Sequence, residues 1–311
     1  MRKIIGSLLI SFLLAAFTVV SAAESEPAGT LTLSGAWAIY PTAVAWAEGF
    51  QKKYPKVKID VSAGGAGKGA TDAIAGLVDI GMVSREPDPT EIKKGITPVY
   101  VLHDAVFAVI NEKNPALEDI LKNGLIKQKF IDFWVDGLIK TWDAVAGSKV
   151  DKPIHLFTRS DSCGAAQSWA GYLGKKQEDL KGIGVYGDPG LLETVKKDIL
   201  GIGYNNFSYV FFRDGSLASG IRLVPIDSNE NGKADADEIY TNRDEAIKAV
   251  RAGRYPATRK NYFFVKDKPV GLVKEFILFA LSQEGTKIVD AVGASLSIPA
   301  QVREKVLKNL E

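Results

Sequence analysis

Arg159 and Asp161 stand two residues apart in a loop otherwise made of small side chains: Ser160, Ser162, Cys163, Gly164, Ala165 and Ala166. An arginine offers a planar fork of N–H donors that matches an oxyanion, and a carboxylate two residues on can hold that fork in place. A loop of this kind that opens a helix adds backbone N–H groups and the positive end of the helix dipole. The chemistry implied is capture of a small oxyanion. The same residues would serve an ordinary surface turn carrying an exposed ion pair, and from this stretch alone both readings stay open.

The flanking residues say how the loop is held. Residues 154–157 form a mostly apolar run that reads as a strand, and Ala165, Trp169 and Leu173 follow at helical spacing. The pattern recurs. Residues 31–34 read as a strand before loop 35–41, and Pro41 opens a helix with Ala43, Trp46, Ala47, Phe50 and Tyr54 on one face. Val57, Ile59 and Val61 alternate before the Gly-rich loop 64–69, which leads into a helix with Ala70, Ile74 and Leu77 inward. A short apolar strand at 80–83 ends in Ser84-Arg85. Repeated strand–loop–helix units predict parallel sheets with binding loops at the strands' C-terminal ends. Two β-rich runs, 99–110 and 262–265, are candidates for strands crossing between domains, and Val270, Val273, Ile277 and Leu281 mark a helix near the end.

Composition limits the rest. A chain of 311 residues suits two domains, and 39 basic against 37 acidic residues leave a net charge of +2. Such a balance gives no reason to invoke nucleic acid. Arg2 and Lys3 precede an uncharged apolar run to Val20 and the small residues Ser21-Ala22-Ala23. This reads as a cleaved signal peptide over 1–23, so the mature protein is expected in the periplasm or outside the cell. Cys163 is the single cysteine, which excludes an intrachain disulfide. His103 and His155 are isolated, so no triad or zinc cluster assembles from them, and both read as structural. A nucleotide phosphate loop fails at 62–69, where Ser62 and Gly69 replace the required Gly and Ser/Thr. An enzyme is not expected, nor an organic cofactor.

Taken in order, these loops resemble the periplasmic phosphate-binding proteins that feed ABC importers. The resemblance rests on Gly35-Ala36-Trp37-Ala38-Ile39-Tyr40-Pro41, Gly64-Gly65-Ala66-Gly67, the strand ending in Ser84-Arg85, Arg159-Ser160-Asp161-Ser162-Cys163-Gly164-Ala165, and Gly201-Ile202-Gly203-Tyr204. It implies a two-lobed α/β fold of the type II periplasmic-binding-protein kind, hinged on two crossing strands. Lobe 1 would comprise 24–103 plus 262–311, and lobe 2 would comprise 104–261. It implies an anion site from Ala38, Ile39, Ala66, Gly67, Ser84, Arg85, Arg159, Asp161, Cys163, Gly164 and Ala165, with Lys68 nearby. It further implies phosphate or a similar tetrahedral oxyanion as ligand, an ABC importer permease as partner, and a monomer. Several hydroxyls of the family pattern are absent: Ala36, Ala38, Ala66, Cys163 and Ala165 stand in their places. A thiol is a weak donor and alanine has none, so an anion here is expected to depend more on backbone N–H groups, Ser84, Arg159 and either Arg85 or Lys68.

A second motif lies at 227–238, where oxygen-bearing side chains fall at calcium-loop spacing. Asp227, Asn229, Asn231, Asp235 and Glu238 occupy positions 1, 3, 5, 9 and 12, Gly232 takes position 6, and Lys233 offers its carbonyl at position 7. The loop resembles an EF-hand or dockerin loop without the paired helices, and a structural Ca2+ is expected there. The alternative functional reading joins these features differently: a calcium-stabilised exported binding or adhesion protein with a degenerate anion cleft. Arg159 with its Asp161 brace favours the first reading, because a degenerate cleft need not keep them.

Overall fold

The computed structural model describes residues 26–310; the signal-peptide expectation for 1–23 lies outside them. The strands in chain order are β1 (Gly29–Gly35), β2 (Val57–Ala63), β3 (Ile80–Val83), β4 (Ile96–Asn111), β5 (His155–Arg159), β6 (Ile183–Val185), β7 (Gly201–Asn206), β8 (Ile221–Leu223), β9 (Thr258–Lys266) and β10 (Leu296–Ser297). They form one curled ten-stranded sheet in the order β2-β1-β3-β9-β4-β7-β5-β6, with β8 and β10 also on β4.

The parallel pairs are β1 with β2 and β3, and β5 with β6 and β7. In register, Gly35 lies beside both Ala63 and Met82, so three strands end together and aim their following loops at one place. Gly35 has φ +131°, and a Cβ there would stand 2.3 Å from the Met82 carbonyl oxygen, so the junction accepts only glycine.

β4 and β9 are the long antiparallel crossing strands. β4 pairs with β9 from Ile96 to Ala105 and with β7 from Val106 onward, while β9 also pairs with β3. Buried apolar residues fall into two clusters. One gathers residues 31–102 with 262–310; the other spans 105–257 and takes in Leu296 from the tail. We refer to these as the first and second lobes. The clusters part on β4 around Asp104 and on β9 around Arg259 and Asn261, all buried. Polar residues thus occupy the crossing where apolar ones fill each lobe.

Tail helices Gly271–Ala280 and Gln283–Val292 return to the first lobe, where the Trp46 indole N–H donates to the Gly285 carbonyl at 2.9 Å. Two residues differ from their expected faces. Leu77 lies beyond helix Ala66–Ala75, which stops at the left-handed Gly76, and is 71% exposed. Val270 precedes its helix as N-cap and is also exposed, leaving Phe276, Ile277 and Phe279 as the buried face. Among the described residues no helix is long and apolar enough to cross a membrane.

Candidate anion site between the lobes

Strand β5 ends at Arg159, and helix Gly164–Tyr172 begins five residues later with Cys163 as N-cap. Trp169 and Ala165 anchor that helix in the second core. The Arg159 side chain is 1% exposed and is gripped on two sides. Its Nε donates to Asp161 Oδ1 at 2.8 Å and Nη2 to Asp161 Oδ2 at 2.6 Å, a bidentate brace. From the far side, Nη1 donates to Asp188 Oδ2 at 2.5 Å. The Arg159 backbone N–H is held by the Tyr204 hydroxyl at 3.2 Å, and that hydroxyl also bonds Thr158 Oγ1. One N–H on each terminal nitrogen is therefore left for a ligand.

Burial pushes the Asp188 carboxyl above its ordinary value, against the pull of Arg159 and Arg259. Burial would depress the Arg159 guanidinium, but Asp188 and Asp161 more than offset it and hold the group charged. With two carboxylates on one guanidinium, the site carries no local excess of positive charge. What it offers a ligand is directed N–H groups.

The first lobe meets this loop directly. Gly67 N–H donates to the Ser162 carbonyl at 3.1 Å. A Cβ on Gly65 would stand 2.8 Å from Asp161 Oδ2, and one on Gly164 would stand 2.2 Å from Ser84 Oγ. Trp37 lies against Gly187 and meets Tyr186 edge-on at 6.3 Å, while the Tyr209 hydroxyl reaches the Trp37 carbonyl at 3.5 Å. Loops 35–41, 64–69, 84–85 and 159–166 thus converge at one lobe junction, in a closed arrangement. The first-turn N–H groups of Gly164 and Ala165 have no partner within their helix and face the same junction through Gly164.

Several residues named for the site act differently from expectation. Arg85 is bound bidentately by Glu91, at 2.8 and 2.5 Å, and lines a pocket opposite second-lobe Gln167, Ser168 and Thr258. Lys68 is held by Asp72, which also accepts from Ser34 Oγ at 2.6 Å. The Ile39 N–H is taken by the Ala36 carbonyl, and the buried Ala38 carbonyl accepts from Ser295 Oγ. Cys163 Sγ accepts the Ala166 N–H at 3.4 Å, so the thiol caps its own helix. Ala66, buried at the first turn of helix Ala66–Ala75, and Ser84, 2% exposed, do sit at the junction. His155 bonds Asp198 at 2.7 Å, away from the junction.

Sequence reading held Tyr204 only as the end of the motif Gly201–Tyr204, with no role at Arg159, and missed Asp188 and a buried group beside it. Arg259 donates to Asp104 at 2.6 Å and to Asn206, and the Asn206 N–H reaches Asp188 Oδ1 at 3.4 Å. This chain of polar groups links the crossing strands to Arg159. The sequence signals were Gly187-Asp188-Pro189 opening a helix, an Asp between His103 and the apolar run 105–110 in β4, and an Arg in the polar first half of β9.

In loop 227–238, the buried Asp227 carboxylate accepts N–H groups from Asn231 and Gly232 at 3.1 and 2.9 Å. Glu238 accepts from Ser228 and Asp235, and Asp235 Oδ2 from the Asn229 and Asn231 side chains at 2.8 Å each. Lys233 contributes its N–H to Asn231 Oδ1. Among the described residues no three His, Cys, Asp or Glu side chains converge on one point.

Comparison with known proteins places this geometry. A family model described as the PBP superfamily domain matches residues 20–284. The phosphate-binding protein PstS of Bacillus subtilis (strain 168) is 30% identical over 309 residues, covering 91% of each chain. The Pseudomonas aeruginosa PAO1 protein of the same name is 27% identical, over 92% of this chain and 88% of its own. Among solved structures, a substrate-binding protein from Clostridium perfringens with bound phosphate has TM-score 0.72 at 24% identity, covering 87% of this chain and all of that one. An ABC-type phosphate transport receptor from Vibrio cholerae has TM-score 0.64 at 19% identity, with coverage of 87% and 100%. These two likenesses concern the fold.

Proposed function

The chain belongs to the PBP superfamily and, within it, to the PstS phosphate-binding proteins, and from that premise we propose that it captures phosphate, or a tetrahedral oxyanion of its size, between the lobes and delivers it to an ABC importer. The observation that carries this reading is Arg159: a buried guanidinium at the lobe junction, fixed by Asp161 and Asp188, with an N–H to spare on each terminal nitrogen. Donors fixed in a water-excluded place count for more than on a surface, and they need no reorganisation when the anion arrives. The ligand enters with the lobes apart and closure by hinge motion about β4 and β9 brings Ser84 and Gly67 against loop 159–166.

The anion set in this reading is Ser84, Arg159 and the backbone N–H groups of Ala66, Gly164 and Ala165, with Asp161 as brace. The protein acts as a monomeric, non-enzymatic binding component outside the cytoplasm, and its partner is the importer's permease. Isothermal titration calorimetry of the chain with phosphate, and with sulfate, arsenate, molybdate and tungstate, tests it. Binding of phosphate at 1:1 that is lost in Arg159→Gln supports the reading; no heat with any of the five anions overturns it.

Calcium at 227–238 is a separate proposal, resting on the spacing of Asp227, Asn229, Asn231, the Lys233 carbonyl, Asp235 and Glu238. Its role would be to stiffen an insertion in the second lobe, and its test is thermal.

A further inference from the structure

Neighbouring residues of a strand point to opposite faces. Asp104 and Arg259 point to the buried group beside Arg159, so their in-register neighbours His103 and Lys260 point the other way. On that reverse side lies a cavity of about 780 Å³. Its floor is the crossing strands, through Tyr100, His103 and Lys260. One wall is second-lobe Val250 with Arg251; the other is the tail, through Leu296, Ile298, Val302 and Arg303. Val250 and Ile298 are buried in different lobe cores, so whatever fills the cavity touches both lobes at the hinge.

The lining is largely apolar, and its charges have one sign. Arg251, Lys260 and Arg303 line it, and no carboxylate does. Burial and the nearby Lys260 and Arg259 push His103 below its ordinary value, which leaves it neutral at pH 7, and its Nδ1 is 3.3 Å from the Tyr100 hydroxyl. Among the described residues the Arg251 side chain makes no hydrogen bond or ion pair. Arg303 is tied only to Thr286 Oγ1, at 2.6 Å, and Lys260 has Glu86 loosely at 3.7 Å, both side chains half exposed or more. A small hydrated anion would leave the apolar walls uncovered, and a neutral apolar molecule would leave Arg251 without a partner and Lys260 with only its distant Glu86 and the Tyr100 ring at 5.9 Å.

We propose that this cavity is a second binding site, for an amphipathic carboxylate: an alkyl chain against Val250, Leu296, Ile298 and Val302, and an anionic head at Arg251, Lys260 and Arg303. Charge and surface both fit a medium-chain acyl anion. The site is independent of the anion site at Arg159, which opens on the other face of the crossing strands.

Calorimetry with octanoate and decanoate, without phosphate, tests the proposal. The expected result is 1:1 binding, with each methylene added between the two probes strengthening it about fourfold. Octan-1-ol should bind about tenfold more weakly than octanoate, since it lacks the charge that Arg251 and Lys260 meet. Arg251→Gln combined with Lys260→Gln, both at exposed positions, should erase that difference. Ala300→Trp, placed at an exposed residue of the lining, should abolish decanoate binding by filling the space. Hydrogen exchange should show decanoate protecting both 248–251 and 296–303. Absence of binding, decanoate binding unchanged in Ala300→Trp, octan-1-ol binding as tightly as octanoate, or protection confined to other segments would each overturn it.

Discussion

Arg159 Nη1 and Asp188 Oδ2 meet at 2.5 Å, 29 residues apart in the chain, with both side chains 1% exposed. Asp188 lies in the first turn of helix Gly187–Lys197, and Arg159 ends β5. The pair turns a flexible side chain into a fixed donor, and it cancels the charge that would otherwise make the site a general anion trap.

Removing the guanidinium has two separable effects. Arg159→Gln should weaken phosphate binding about 100-fold or more, as a charge-assisted contact is lost. It should also destabilise the fold by about 3–5 kcal/mol, because Asp161 and Asp188 are left buried without their partner. Adding Asp188→Asn should recover stability in urea melts without recovering binding. Recovery of both would mean that Arg159 is only a structural ion pair.

Closure can be blocked without touching a polar group. Gly164→Ala puts a methyl where Ser84 Oγ would be 2.2 Å away and the Ser84 carbonyl oxygen 2.0 Å away. The melting temperature of the unliganded chain should hardly change, since the position is the first of a helix and alanine suits helices. Phosphate affinity should fall about tenfold or more by calorimetry, and small-angle scattering should show no compaction with phosphate.

Cys163 should behave as a cap, not as a nucleophile. Burial pushes its thiol up to about 12, so thiol reagents at pH 8 should label it only after unfolding. Cys163→Ala should cost about 1 kcal/mol, and Cys163→Ser should be neutral or stabilising, as serine is the better N-cap.

Acid stability should depend in part on Glu91. Burial opposes its ionisation, but the Arg85 guanidinium and the Asp88 N–H hold its carboxyl below the ordinary 4.5. A carboxyl depressed in the folded state adds stability fully above its unfolded value, and loses it as pH falls through the folded one. Glu91→Gln should therefore lower stability at pH 7 and flatten the loss below pH 4.5 in a melting-temperature titration.

Calcium should raise the melting temperature by a few degrees, since a ligand at about 100-fold its Kd stabilises by about 2.7 kcal/mol. Glu238→Gln should abolish the rise. A wild-type melting temperature indifferent to calcium would leave Asp227 and Glu238 as carboxylates that serve loop N–H groups alone.

What the sequence determined about this protein is what repeats locally. Alternation in Val57, Ile59 and Val61, helical spacing in Trp46 and Phe50, and small residues after each strand follow from backbone geometry within a few residues, and they made the fold and the junction loops legible. Asp161 was legible as the brace of Arg159 for the same reason: two residues of chain keep the partners in reach. Asp188 was not, because an aspartate in the first turn of a helix looks alike whether it serves that helix's own N–H groups or crosses to another strand. Arg85 misled for a related reason, since its place after Ser84 says nothing of Glu91, six residues further on in a short helix, which holds it at 2.5 Å. Which donors are left free at the lobe junction, which are consumed by carboxylates, and where the crossing strands leave a cavity were decided by tertiary structure alone. Those are contests between long-range partners for the same N–H groups, and a linear pattern does not encode their outcome.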